Sequence, residues 1–543
     1  MFMRLRLLLP VLLIAATLGL YWPSLQYAPF FDDVNFFEAG RLQHIFLEGF
    51  AFHPRWLPYF LTAWVDLIFE DHLFAQRCIN VGLHLMTAFV LYSPIFRIAE
   101  HVAPHPHNRR AALVAALLFL LHPLAVYAVG YLIQRTILMS ALFGLLTLST
   151  FFDGLVTRKK AYFIFSALFY FLSSFSKEHA LLIPAAALAL TPLAGPLNRR
   201  MWHQLVLPSA LYLVIAVLVV IKKYSIIGAV YEPFSESLVR QHGSGNDTLQ
   251  LWGLSVMTQA TLFFKYMGLA LIPNPGWMSI DMRVPFAVQF GQPKYLLGVL
   301  GLAAYTVTTV FWLLKGGRRG LVGYALLAPL LLFAVEFSTV RIQEPFVLYR
   351  SYLWILLLFL AIPPISHALP DRLFWPIALA IALVFAFASS DRLRSFSSTY
   401  ALWDDAVKKL PDEHVSGAAR VYTNRGIQLM KRGELAGAID DFTRALGVDP
   451  GYRIALTGRA YAYLKQDKYE AALAEAGGLI RLYPDEGDGY IVRGKIHRTR
   501  GDWTRAQADF EYGCQKMKNP AVCVSLLTVD STKRGPVPRA AVD

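Results

Sequence analysis

The sequence predicts a mainly α-helical protein in two parts: a polytopic helical membrane domain, followed by an α-solenoid of about three tetratricopeptide repeats. Three observations predict this fold class. The chain has 543 residues, of which 56% are hydrophobic and 16% charged, more apolar than a soluble fold of this size requires. Long apolar runs fill residues 5–389. A repeat with a period of 34 residues then follows residue 396.

Short basic loops between the apolar runs set the predicted orientation in the membrane. The positive-inside rule places these loops in the cytoplasm. They all fall on that side if the N-terminus is cytoplasmic and run 252–273 does not cross, which predicts eleven crossings and an external C-terminus. The loops are HVAPHPHNRR (101–110), TRKK (157–160), NRR (198–200) and KGGRRG (315–320). The runs are 5–22, 78–96, 111–133, 136–155, 161–175, 179–193, 204–221, 252–273, 295–314, 321–336, 352–367 and 373–389.

The formal charge of +14 is accounted for by these loops. No basic stripe with stacking aromatic residues occurs, so we expect no nucleic-acid partner. The membrane domain is expected to span residues 1–395, with a large outer loop at 23–77. A connecting helix is predicted at 396–418.

The repeat domain is predicted at residues 419–529, followed by a disordered tail at 530–543. Small residues recur every 34 positions where paired helices should approach closely, and large residues recur where they should fill the gaps. The small positions are Gly426, Ala460 and Gly494, and Ala438, Ala472 and Ala506; the mainly large positions are Leu435, Tyr469 and Trp503, and Phe442, Ala476 and Phe510.

Two runs, 161–175 and 179–193, are too short to cross a hydrocarbon core of about 30 Å as straight helices. The Ser176-Lys177-Glu178 corner between them should therefore sit in a recess below the outer surface. Charged groups there would be costly against lipid, so we expect them to face a wet cavity. Residues 55–70 have one apolar, aromatic-rich helical face, which predicts a helix lying on the outer leaflet.

An acidic pair, Asp32 and Asp33, lies in the outer loop shortly after the first apolar run. One interpretation is two solvated loop acids. The other is a general base with a supporting carboxylate, held beside an acceptor hydroxyl. We expect Asp32 to be the base and Asp33 to orient it; the reverse assignment is the alternative that the sequence leaves open.

Three cations are predicted on the same outer side as the acidic pair: Arg135, Lys177 and Arg350. Each alone is typical of an interfacial anchor. Together they would hold a phosphate, Arg as a fork and Lys as a point charge. No metal-ligand set is predicted, although the sequence leaves the use of a divalent metal open. Cys514 and Cys523 flank a predicted turn and would form a disulfide if the C-terminal domain is external.

Eight motifs occur in a fixed order along nearly the whole chain. They are FFDDV (30–34), HPRWLP (53–58), INVGLHL (79–85), FLLHPLAVYAVGYLIQR (119–135), FSKEHALLIP (175–184), LALIPNPGWMSIDMRVP (269–285), VLYRSYLW (347–354) and LWDDAVKKLP (402–411). In this order they resemble the GT-C membrane glycosyltransferases, and more closely the bacterial branch of the transmembrane and tetratricopeptide-repeat family, whose eukaryotic members are O-mannosyltransferases. Tyr127 stands where the mannosyltransferase branch tends to have Glu, which leaves the sugar open.

The resemblance implies a glycosyltransferase that moves a sugar from a polyprenyl-phosphate-linked donor to a protein or glycan hydroxyl on the external face. It assigns the base to Asp32 and Asp33. Within its motifs, the residues expected to support the site are Arg55, His84, Gln134 and Glu178. The resemblance also implies the bacterial inner membrane, a periplasmic C-terminal domain, contact with membrane lipid and an acceptor docked by the repeats. The alternatives are a non-enzymatic repeat scaffold for envelope assembly, or a polyprenyl-lipid transporter or polymerase.

Overall fold

The computed structural model describes residues 2–37, 41–49, 54–223, 248–342 and 344–516. The chain divides into two compact units, Met1–Leu402 and Trp403–Asp543. Throughout the described ranges the regular secondary structure is helical and no strand occurs, although an isolated antiparallel bridge pairs Met282 with Phe346. The mainly helical fold class predicted from the sequence is therefore confirmed for these residues.

Nineteen α-helices are described up to residue 408, joined in places by short 3-10 helices. They are α1 (Phe2–Tyr21), α2 (Asp32–Phe36), α3 (Arg41–Leu47), α4 (Trp56–Ile68), α5 (His72–Val102), α6 (Asn108–Leu120), α7 (Pro123–Val129), α8 (Arg135–Thr157), α9 (Lys160–Ser176), α10 (Ile183–Leu188), α11 (Thr191–Ala194), α12 (Arg199–Lys223), α13 (Thr248–Leu271), α14 (Pro293–Lys315), α15 (Gly317–Phe333), α16 (Tyr352–Leu358), α17 (Ile362–Ser366), α18 (Asp371–Ser395) and α19 (Thr399–Lys408).

Seven helices among the described residues are long and apolar enough to cross a membrane, or eight if α6 and α7, bent by 55° at Leu121 and His122, form one broken span. Eleven crossings were predicted. The difference lies in three runs. In the first run the searched segment Pro10–Gln26, which joins part of α1 to the 3-10 helix after it, is one of the shorter apolar helices. The broken segment Glu178–Ala194 is another, and α9 has 17 residues. At 1.5 Å per residue, 17 residues reach only about 26 Å.

Prolines break the segment that follows α9. A 3-10 helix at Glu178–Leu182 leads into α10, and Pro184 and Pro192 lie in the first turns of α10 and α11. Proline lacks the N–H that would continue a preceding helix, so the chain turns repeatedly here. Lys177 lies just before this segment, at the end of α9, in extended backbone with φ −157° and ψ 132°.

The outer loop contains the helix expected near residues 55–70, observed as α4. Its Thr62, Ala63 and Val65 are buried, and it packs against α5, α8 and α9. Trp64 and Leu67 are exposed on its other side. A helix with an exposed tryptophan on an apolar face is typical of a membrane interface. It also covers the ends of α5 and α8, where the candidate site is built.

The unit Trp403–Asp543 contains three consecutive helix pairs, which confirms the predicted tetratricopeptide array. In the first pair a Cβ at Gly426 would lie 2.9 Å from the Phe442 ring, and in the third a Cβ at Gly494 would lie 2.7 Å from the Phe510 ring. Glycine is therefore required for these helices to approach. The helices are α20 (Ala418–Lys431), α21 (Leu435–Val448), α22 (Arg453–Lys465), α23 (Tyr469–Leu482), α24 (Asp488–Thr499) and α25 (Trp503–Lys516).

The contacts between successive repeats are complementary in size. The Phe442 ring also fills the space at Gly458 of the second repeat, where a Cβ would lie 2.5 Å from the ring. At the next junction the large and small positions are exchanged, because Ala476 packs in one cluster with Val492 of the third repeat. Both junctions are therefore filled. The large side chain comes from the first repeat at the first junction and from the third repeat at the second junction.

An ion pair joins the two helices of every repeat at the same position in the 34-residue register. The sequence analysis missed this pattern, although the spacing of the arginines and of the acids is visible in the sequence. In the first and third repeats two guanidinium nitrogens bind the two oxygens of one carboxylate, a geometry that fixes orientation. The pairs are Arg425 with Asp441, Arg459 with Glu475 and Arg493 with Asp509.

Candidate functional site

The acidic pair of the outer loop occupies the first turn of α2, where the helix dipole favours negative charge. Phe31, directly before it, has φ 53° and ψ −133°. This is a strained conformation for a residue other than glycine, and such strain persists only where surrounding contacts enforce it. The two carboxylates differ in environment, because Asp33 is fully buried whereas Asp32 is exposed.

Both acids bind the residues that lead into α8. The Tyr131 phenol donates a hydrogen bond to Asp32 Oδ2 at 3.0 Å. The backbone N–H of Leu132 donates to Asp33 Oδ2 at 3.1 Å, and that of Ile133 donates to Asp33 Oδ1 at 2.8 Å. Asp33 therefore fixes α2 to the chain at residues 131–133, while Asp32 keeps carboxylate surface open to solvent.

Burial raises the pKa of Asp33 to about 7. The two backbone N–H donors and the nearby Arg77 guanidinium act in the opposite direction and lower this pKa. Arg77 itself donates to three backbone carbonyl oxygens, those of Tyr27, Ala28 and Gly130, at 2.8–3.1 Å. It thereby ties the loop before α2 to the end of α7. The position of the acidic pair thus depends on contacts from three separate segments.

Lys177 provides the most isolated buried charge of the cluster. Its ammonium donates to Gln134 Oε1 at 2.9 Å and to Thr136 Oγ1 at 3.2 Å, both neutral oxygens. Among the described residues no carboxylate oxygen lies within ion-pair distance of Nζ. Burial, and then the Arg55 charge, lower the pKa of Lys177 to about 7. A buried ammonium with neutral partners favours the arrival of an anion.

Two tyrosines connect the carboxylate side of the cluster to the ammonium side. The Lys177 ammonium lies 5.1 Å from the centre of the Tyr349 ring. That ring meets the ring of Tyr131 edge to face, with 6.1 Å between centres. Since Tyr131 binds Asp32, the exposed acid and the buried ammonium belong to one continuous aromatic cluster.

An ion pair holds the outer loop against the Lys177 corner. Arg55, at the start of α4, binds the two carboxylate oxygens of Glu178, and the Nε–Oε2 distance is 3.0 Å. The Arg55 backbone is left-handed, with φ 67°. Burial raises the pKa of Glu178, but the charge and hydrogen bonds of Arg55 more than offset this and hold it well below its usual range. Glu178 is therefore committed to Arg55 and does not neutralise Lys177.

Arg350 belongs to a second buried ion-pair group centred on Glu336. Its Nη1 lies 3.0 Å from Glu336 Oε2, and the Arg341 Nε lies 3.3 Å from the same oxygen. His179 Nε2 lies 3.2 Å from the other carboxylate oxygen. The sequence predicts that Arg350 holds a phosphate. In the structure its charge is already partly balanced by Glu336.

Arg135 lies away from the aromatic cluster, although the sequence predicts a phosphate contact for it. Its side chain is buried and donates to the side-chain oxygens of Asn80 and Thr62 and to the backbone oxygen of Gln76, each at 2.9 Å. These partners hold α8 against α4 and α5. The geometry favours a structural role for Arg135, because all three guanidinium nitrogens already donate to protein oxygens and only the remaining N–H groups are left for a ligand.

His84, expected to support the site, lies in the helical core. Its Nδ1 is 2.8 Å from the Tyr352 hydroxyl and its Nε2 is 3.0 Å from the Leu120 carbonyl oxygen. Both ring nitrogens are therefore occupied by contacts between helices. The side chain supports the packing behind the site rather than the acidic pair itself.

Residues 131–135 organise most of this arrangement. Tyr131 binds Asp32, the next two residues bind Asp33 through their backbone, and Gln134 binds Lys177, while Arg135 anchors the segment to its neighbours. The sequence analysis included this stretch in the motif FLLHPLAVYAVGYLIQR (119–135) but assigned a role only to Gln134 and Arg135. The contributions of Tyr131 and Tyr349 were missed, since nothing in the pattern distinguishes them from membrane-interface aromatics.

Cys514 is disulfide-bonded and Cys78 carries a free thiol. Cys523, the predicted partner of Cys514, lies outside the described residues. Within the residues that the structure describes, no group of three or more His, Cys, Asp or Glu side chains is arranged to hold a metal ion.

Comparisons with known proteins found partial matches. No family model matches the chain. It is 30% identical over 85 residues to a FAM10 family protein of Arabidopsis thaliana, covering 16% of this chain and 19% of that protein. It is 28% identical over 105 residues to the TPR repeat-containing thioredoxin TDX of the same plant, covering 19% and 27%. The chain thus spans about a fifth to a quarter of these relatives.

A solved structure described as the crystal structure of the APC/C hetero-tetramer Cut9-Hcn1 aligns with 90% of this chain and 91% of that chain, at 13% identity. The TM-score is 0.22, so this likeness carries no argument about the fold. The three observed helix pairs make the C-terminal unit a tetratricopeptide repeat domain, and the name of the TPR repeat-containing thioredoxin agrees with this.

Proposed function

We propose that the unit Met1–Leu402 is a GT-C type membrane glycosyltransferase that moves a sugar from a polyprenyl-phosphate-linked donor to a hydroxyl of a protein or glycan acceptor. One observation carries the proposal. An exposed carboxylate held by a tyrosine, Asp32, lies in the same aromatic cluster as Lys177, a buried ammonium paired only with neutral oxygens. The transfer requires a base for the acceptor hydroxyl and a cationic binding site for the donor phosphate.

The chemistry assigns one step to each group. The acceptor hydroxyl oxygen forms a bond to the anomeric carbon while the bond from that carbon to the phosphate oxygen breaks. The hydroxyl proton passes to Asp32, and the phosphate stays on the polyprenol as the leaving group, near the Lys177 ammonium. General-base assistance of this kind contributes typically 10²–10⁴-fold to a rate.

Asp32 is the better base of the pair because its carboxylate is exposed. Asp33 has both oxygens occupied by backbone N–H donors and is buried. It cannot reach an acceptor without releasing those donors, so we assign it to positioning. Lys177 takes the donor phosphate, with Arg350 and Arg55 as neighbouring charges that are themselves paired with acids.

The apolar helices of this unit suit a lipid-linked donor that approaches through the bilayer. The expected placement is a bacterial inner membrane, with the acidic pair and the repeats on the periplasmic side. We assign the repeat domain to docking the acceptor. The proposal includes no nucleic-acid partner, and the sugar is left open.

The test is sugar transfer by the full chain in lipid nanodiscs, with labelled polyprenyl-phosphate mannose, glucose and galactose offered separately to a mixture of Ser/Thr peptides. Asp32→Asn is expected to lower transfer at least about 100-fold without changing the melting temperature. Asp66→Asn, on α4, is the matched control and should leave transfer unchanged. Full activity in Asp32→Asn would remove the enzymatic role of this acid. Parallel reactions with EDTA decide whether a divalent metal is needed.

A second candidate function is a non-enzymatic membrane scaffold, favoured by the three complete helix pairs of the repeat unit. A scaffold has no need of Asp32 or Lys177. Absence of transfer by the wild type with every donor, together with unaltered partner binding in Asp32→Asn, would favour it over the enzyme.

A further inference from the structure

The Asp32 carboxylate is held by one side chain among the described residues. The Tyr131 oxygen makes two contacts with this residue: it accepts a hydrogen bond from the Asp32 backbone N–H at 3.3 Å and donates one to Oδ2 at 3.0 Å. A single phenol thus fixes both the backbone and the carboxylate of the same residue. The other carboxylate oxygen, Oδ1, has no partner among the described residues.

Tyr131 is itself rigidly placed. Its side chain is buried, and its ring packs against the rings of Phe30 at 5.3 Å, Phe31 at 6.0 Å and Tyr349 at 6.1 Å between centres. The two residues that follow it hold Asp33 through their backbone N–H groups. The phenol oxygen therefore cannot move relative to α2 without breaking several contacts at once.

We propose that Tyr131 is the positioning residue of the base, an inference that rests on the proposed function. Its hydroxyl occupies Oδ2 of Asp32 and leaves Oδ1 directed to the acceptor hydroxyl. No bond to Tyr131 forms or breaks in the reaction, because the acceptor proton goes to Oδ1. The phenol sets the orientation of the carboxylate and does not contact the donor phosphate, which lies with Lys177.

The test variant is Tyr131→Phe, which keeps the ring and removes the hydroxyl. Loss of a hydrogen bond to a charged group corresponds to a fall in kcat of roughly 10- to 100-fold, with the donor KM unchanged. Tyr324→Phe, which removes a buried hydroxyl bonded to the Ala186 carbonyl oxygen, is the matched control.

A double mutant separates positioning from general damage. If Tyr131 acts through Asp32, adding Tyr131→Phe to Asp32→Asn should lower kcat no further. Additive losses, or a loss no greater than that of Tyr324→Phe, would each overturn this inference.

These results also separate this inference from the proposed function. If the wild type transfers sugar, Asp32→Asn is strongly impaired and Tyr131→Phe behaves like the control, only the role of Tyr131 is wrong. If Asp32→Asn remains fully active, or the wild type transfers no sugar, both are wrong. The measurements use the full chain in nanodiscs, with the polyprenyl-phosphate hexose that the wild type accepts.

Discussion

Replacing Lys177 by Met should make the protein more stable and less active at the same time. The ammonium is buried with neutral partners, so the folded protein without a bound anion carries a charge that no acid compensates. Met has a similar length and no charge, so it should fill the same space without that cost. This opposition of stability and activity is typical of functional sites.

The size of the effect follows from the pKa of Lys177, which is lowered from 10.5 to about 7. This difference corresponds to a cost of about 5 kcal/mol for the charged form in the folded state. The substitution also removes the two hydrogen bonds that the charged Lys177 donates, each worth about 1.5 kcal/mol. The net gain in the free energy of unfolding is therefore about 2 kcal/mol at pH 7. The gain in the free energy of unfolding is complete below about pH 7 and decreases as the pH rises towards 10.5. The reason is that the neutral amine of the wild type does not carry the cost of a buried charge.

The assay pairs thermal unfolding with donor kinetics, on full-length protein in nanodiscs. Lys177→Met should melt a few degrees higher than the wild type and should have a strongly raised donor KM. Lys159→Met, an exposed lysine at the start of α9, should change neither quantity. A melting temperature below that of the wild type, or an unchanged donor KM, would refute the view that Lys177 is held ready for an anion.

Three further predictions concern the site and the repeats. Donor KM should rise above about pH 7, where Lys177 loses its proton, and kinetics of Lys177→Arg between pH 6 and 9 should lack this rise. Gly494→Ala should destabilise the repeat unit by about 1–3 kcal/mol, through a Cβ 2.7 Å from a packed ring. Gly477→Ala, on an open face, should stabilise its helix by about 0.5–1 kcal/mol, and chemical denaturation followed by circular dichroism compares the two. Arg55→Glu should lower transfer, and adding Glu178→Arg should restore part of it, since the pair is reciprocal.

The repeat domain was predictable because its signal is periodic. Positions such as Gly426 and Phe442 recur with one spacing, and each has a single structural explanation. The number of crossings was overestimated because hydropathy measures how apolar a run is, not where a helix breaks. Pro184 and Pro192 divide one run into pieces that a sliding window joins.

The individual roles at the candidate site depend on contacts that no pattern encodes. The sequence analysis predicted two neighbouring acids. What separates Asp32 from Asp33 is a pair of backbone N–H groups about a hundred residues further along the chain. Likewise Arg135 and Lys177 are both cations near helix ends. Only the structure distinguishes the guanidinium, whose three nitrogens each bind a protein oxygen that joins helices, from the ammonium, which is available to a ligand.

The exchange of large and small residues between the repeat junctions means that the order of the repeats is encoded in their packing. Phe442 matches Gly458, and Ala476 matches Val492. Deleting the middle repeat would bring Phe442 against Val492, which overfills the junction. Duplicating that repeat would place Ala476 against Gly458, which leaves a void. Although the three units share one architecture, they are therefore not interchangeable modules, and this array tolerates neither shuffling nor a change in number without compensating substitutions.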